Sequence, residues 1–128
     1  MTTLIVCLFI ATLLPYLIKL VVARFMQKEG RYDNHYPRLQ QARLQGMGAR
    51  AVAAHQNSFE SLLVFAIAAL AAIATNHVST AVQVLAIIYI VSRIIYSFFY
   101  IMDMASLRSA IWFAGFFCCL TVLVLCMI

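Results

Sequence analysis

Four stretches of this chain are almost continuously apolar, and what separates them is either short or strongly polar. They run from about Thr3 to Phe25, Arg50 to Ala74, Thr80 to Ile101 and Leu107 to Ile128. Each holds roughly 20 residues or more. At about 1.5 Å of rise per helical residue, that is enough to cross a hydrocarbon core of about 30 Å. The pattern predicts an all-α membrane protein: a bundle of four transmembrane helices forming a single domain over 1–128, with a cytoplasmic loop at 26–49. Pro15 predicts a kink in the first helix, tolerated where a neighbouring helix covers the freed carbonyl. In the polar loop, Gly30, Asp33, Asn34 and Pro37 read as turn formers, and Leu39 to Leu44 as a short interfacial helix. The turn after the second span is Thr75 to Ser79. Asp103 and Ser106 mark the next, with Ser106 expected as the N-cap of the last helix.

Composition agrees with this reading. Of 128 residues, 66% are hydrophobic and 10% are charged, whereas about a quarter of a soluble domain is charged. The net charge of +5 does not point to nucleic acid, because the basic residues flank apolar spans, where they set topology and meet anionic lipid headgroups. Arg24, Lys28, Arg31, Arg38, Arg43 and Arg50 surround the loop between the first two spans, and Arg108 follows the last turn. The N-terminus, the turn at 75–79 and the C-terminus carry no lysine or arginine. The positive-inside rule therefore places both basic connections in the cytoplasm and both termini outside. With no basic region before its first apolar run, that run is expected to be a retained span and not a signal peptide. Cys7, Cys118, Cys119 and Cys126 all sit in apolar runs without metal-ligand spacing, and read as small hydrophobes. No metal is expected.

Ionisable residues inside spans are costly and need partners. Glu60 lies roughly 15 Å from the cytoplasmic start of its helix and Arg93 roughly 12 Å before the cytoplasmic end of the next. Matching depths predict that they pair. Arg50, Asn57 and Glu60 share a sector of roughly 80°, with His55 outside it; Tyr89, Arg93, Tyr96 and Tyr100 share roughly 60° of the third span. Such a stripe is expected to face protein or a wet cleft. Arg108 and Ser109 open the fourth helix at the same level, where a helix N-terminus adds free donors and the positive end of its dipole. Together they predict an anion-friendly pocket. A plainer reading stands beside this one: an ion pair that fixes helix register, tyrosines as interfacial anchors and Arg108 as a topology signal. His55 and His77 read as a packing and a turn residue.

The run Arg50 to Phe65, RAVAAHQNSFESLLVF, with Ala54-His55, Asn57 and Glu60 at its core, resembles the second-helix motif of the MAPEG family, the membrane-associated proteins of eicosanoid and glutathione metabolism. Arg93, Tyr100, Arg108 and Ser109 resemble its third-to-fourth-helix pattern, and YDNHYPR at 32–38 is similar to its bacterial branch. The resemblance implies a homotrimer in a bacterial inner membrane, with glutathione between protomers near the cytoplasmic side. It also implies transferase or peroxidase activity on lipophilic electrophiles. Arg108 would then hold the thiolate, with Ser109 beside it, and Arg50, Asn57, Glu60, Arg93, Tyr96 and Tyr100 would bind the cofactor. Two departures stand out. Ala53 occupies a position that is often arginine in the family, with Arg50 on the same side as a substitute. Tyr96 stands where some members have histidine. The alternatives are a non-catalytic binder of lipid or fatty acid on the same fold, and a small multidrug-type transporter using Glu60.

Overall fold

A computed structural model describes all of residues 1–128. It contains α1 (Thr2–Lys28), α2 (Pro37–Arg43), α3 (Gly46–Ala74), α4 (Thr80–Ile101) and α5 (Ala105–Leu125). All but α2 are long and apolar enough to cross a membrane, which gives the four-helix membrane bundle expected from hydropathy. Helices α1 and α3 overrun the expected spans at the loop end: nothing in Met26–Lys28 breaks a helix, and the two glycines of Gly46–Ala49 fall in the first turn of α3, where Gly48 packs closely on Phe25 and Leu44. The short helix between them begins at Pro37, whose fixed φ suits a first helical position.

Small residues set how closely the helices approach. On α3, Ala68, Ala69 and Ala72 pack with Leu4, Cys7 and Ala11 of α1, Val82 and Ala86 of α4, and Cys119 and Val122 of α5. The most extensive pairing is α4 against α5. Gly115 makes it possible, since a Cβ there would lie 2.6 Å from Ser92 Oγ. Pro15 is buried against α3, and the His55 imidazole lies 2.8 Å from its carbonyl oxygen. A carbonyl only accepts, so Nδ1 carries the proton. His55 thus ties α3 to α1, away from the face that carries Asn57 and Glu60.

The turns close by backbone chemistry. Asn76 and Asp103 adopt left-handed φ of 59° and 62°. His77 N–H donates to the Ala72 carbonyl, and Met104 N–H to that of Phe99. Both α3 and α4 therefore end in the same capped turn, which normally favours glycine or asparagine. Helix α5 starts at Ala105 after Met104, with no side-chain cap. Ser106 is thus already helical and does not cap; the turn at Asp103 sets the start instead. In the polar loop Gln40, though on a seven-residue helix, is buried. Its amide donates to the carbonyls of Met26 and Arg31 and accepts from Asp33 N–H. The Asp33 carboxylate accepts from His35 and Tyr36 N–H, and these bonds hold it below the usual carboxylate range.

Candidate functional site

The polar residues of α3, α4 and α5 form one continuous track. Glu60 and Asn57 are three residues apart and share a face of α3; Asn57 Nδ2 donates to Glu60 Oε2 at 3.2 Å. Arg93 Nη2 donates to Asn57 Oδ1 at 2.6 Å. The Arg93 guanidinium lies 4.0 Å from the centroid of the Tyr96 ring, Tyr96 meets Tyr100 edge-on at 5.7 Å, and the Arg108 guanidinium lies 4.3 Å from the Tyr100 ring. The track begins at a carboxylate, passes one arginine and ends at a second, with aromatic faces as the spacers that cations favour.

This corrects the expected Glu60–Arg93 pair. Asn57 stands between them, its oxygen to the cation and its nitrogen to the carboxylate. Equal depth brought the two to one level, but the angular position of Asn57 put its amide in the gap. Arg93 is only 4% exposed, and no protein group accepts from its Nε. Glu60 is exposed at the surface of the single chain. Tyr89 lies deeper, stacked on Phe65 at 4.1 Å and donating to the Ser61 carbonyl at 2.8 Å.

Arg50 does not join the track. Its Nε donates to the Ile101 carbonyl at 3.0 Å and its Nη1 lies 3.9 Å from Asp103 Oδ2. It clasps the α4–α5 turn to α3 and, within the single chain, lies apart from the cleft. Its position on α3 is as expected, but that flank faces the turn and not the cleft.

The remaining predicted residues divide between two adjoining spaces. An inner one of about 120 Å³ is bounded by Asn57, Glu60 and Arg93 with Val64, Phe116 and Cys119. An outer one of about 210 Å³ is bounded by Tyr96, Tyr100, Arg108 and Ser109 with Phe113. Trp112 lines both. It went unremarked in the sequence, although it lies one turn after Arg108 and so on its face. At the head of α5, Arg108 N–H already donates to the Met104 carbonyl, so the free donors of that helix end belong to residues 105–107. No group of three or more His, Cys, Asp and Glu side chains comes together anywhere.

The charges present suit a ligand that carries both anionic and cationic groups. Two guanidiniums answer two carboxylates or a thiolate, and Glu60 answers an ammonium. Pockets that enclose drug-sized ligands run to about 300–1,000 Å³, so such a ligand has to occupy both spaces.

Among known proteins, the model of the MAPEG family matches residues 3–128, almost the whole chain. No curated protein and no solved structure matches it.

Proposed function

This chain belongs to the MAPEG family, and we propose that it is a glutathione-dependent transferase or peroxidase acting on lipophilic electrophiles. The observation that carries this reading is the unbroken track from Glu60 through Asn57, Arg93, Tyr96 and Tyr100 to Arg108 in an otherwise apolar bundle. On this reading Glu60 takes the ammonium of glutathione and Arg93, whose Nε is unpartnered, takes a carboxylate. Arg108 and Ser109 face the sulfur. A guanidinium near a thiol favours the thiolate, which is the nucleophile. The apolar walls Val64, Phe113 and Phe116 admit a lipophilic partner from the bilayer.

The same reading includes a homotrimer in the bacterial inner membrane, with the basic loop in the cytoplasm and both termini outside. Two features support the trimer. Glu60 is exposed at a depth where lipid is a poor neighbour for a carboxylate. A second groove, of about 460 Å³ and lined by Arg38, Gln41, His55, Gln56 and Phe59, lies on a different face of α3. Two unlike surfaces on one protomer suit a head-to-tail ring.

One observation favours a second reading, a non-catalytic binder of lipid or fatty acid on this fold: with Arg50 spent on the α4–α5 turn, one carboxylate clamp is missing. Titration of glutathione into detergent-solubilised protein decides between them. Saturable binding, weakened at least about tenfold in Arg108→Ala, is expected, together with conjugation of a generic electrophile that falls in parallel. A preparation that neither binds glutathione nor turns over, but carries co-purified lipid, establishes the second reading.

A further inference from the structure

Trp112 is the one side chain common to the inner space at Arg93 and Glu60 and the outer space at Arg108. Its indole stacks on Phe116 at 5.1 Å and 14° and meets Phe113 edge-on at 5.1 Å. Both rings belong to its own helix, so α5 itself braces the indole as a wall. The hydrogen bonds donated by side chains of α4 and α5 run from Tyr89 to Ser61, Arg93 to Asn57, Ser92 to Tyr89, Ser97 to Arg93 and Thr121 to Phe117. None uses the indole N–H. Trp112 is half-buried, and a tryptophan N–H that a ligand takes out of water normally needs an acceptor.

We propose that Trp112 is the specificity-determining partition of the site: a thiol tripeptide passes along its indole from the outer space to the inner one, and the indole N–H donates to one of the ligand's carbonyl or carboxylate oxygens. The inference rests on the reading of this cleft as a glutathione site. Its physical basis is the separation of the charges. Arg93 and Glu60 bound one space and Arg108 the other, so a ligand with an amino-acid group at one end and a thiol further along reaches both only by running past Trp112. A flat ring there packs against a peptide plane. It also limits the width of what can cross, which favours a slender peptide thiol over a bulky or branched one.

Trp112 is the only tryptophan in the chain, so its emission reports this position alone. Adding glutathione to the solubilised wild-type protein is expected to change that emission saturably, with a midpoint matching equilibrium dialysis of labelled glutathione. In dialysis, Trp112→Phe keeps the wall and loses only the donor, so binding stays within about threefold of wild type; Trp112→Ala weakens it about tenfold. Binding in dialysis with unchanged emission overturns the inference and leaves the glutathione reading intact. So does a folded Trp112→Ala variant that binds like wild type. Absence of wild-type binding in dialysis overturns the glutathione reading, and this inference with it. Should Trp112→Ala not fold, the wild-type emission titration decides alone.

Discussion

Asn57 carries more of the site than its neutral side chain suggests. It accepts from the buried Arg93 guanidinium with its oxygen and donates to a carboxylate with its nitrogen, while Arg93 Nε stays without a partner. A carboxylate here would meet Arg93 well but repel Glu60; an amide serves both. Leaving a buried polar group without a partner costs about 1–3 kcal/mol, and more when the group is charged. Asn57→Ala is therefore expected to lower the stability of the solubilised protein by at least about that amount, measured by thermal unfolding in detergent. Replacing both partners by apolar groups of similar shape costs much less than removing one. Asn57→Leu combined with Arg93→Met is then expected to be more stable than the two single losses summed. A double-mutant cycle that adds without coupling would remove Asn57 from its bridging place.

Among the elements, the α4–α5 pair decides whether there is a cleft at all. Arg93, Tyr96 and Tyr100 project from α4, and Arg108 and Trp112 from α5. Their separation is set at Gly115, against Ser92. Ser92 Oγ is buried and donates to the Tyr89 carbonyl at 2.7 Å, so it has little room to retreat. Gly115→Ala is expected to force the helices apart and cost about 1–3 kcal/mol, as overpacking does. Ser92→Ala in the same chain removes the clashing oxygen and should restore most of the melting temperature. The variant also moves Trp112 and Phe116, which flank residue 115 on α5, so its effect on ligand affinity should exceed that of an equally destabilising change in α1. If Gly115→Ala melts with wild type, the helix approach is not set there.

Across the whole molecule, what hydropathy and charge could reveal was the architecture: the four spans and the short helix near Pro37 lie within a few residues of their expected places. Level along the bundle was also legible, because rise along a helix is constant. Angular position between helices was not. Glu60 and Arg93 share a level but are joined through Asn57, Arg50 points to a turn some fifty positions away in the chain, and Gln40 looked like one more polar loop residue until its three backbone bonds were seen. Those facts depend on which helix lies beside which, and a hydropathy pattern does not contain that. The same argument reaches beyond the single chain. Glu60 closes the polar track yet is exposed, while Phe117, Leu120 and Val124, also exposed on α5, suit lipid. A carboxylate at membrane depth is costly against acyl chains, and a neighbouring copy would remove that cost. If lipid covers Glu60, Glu60→Leu deletes a buried-charge penalty and should raise stability without changing particle mass. If a second copy covers it, the same substitution leaves the partner's polar groups unanswered and should weaken assembly. Native mass spectrometry of the wild type is expected to give a trimer, with Glu60→Leu shifting the population toward monomer as detergent concentration rises. A wild-type particle of one chain, or a Glu60→Leu trimer that resists detergent better than wild type, would mean that the carboxylate faces the bilayer and that the cleft is complete within a single copy.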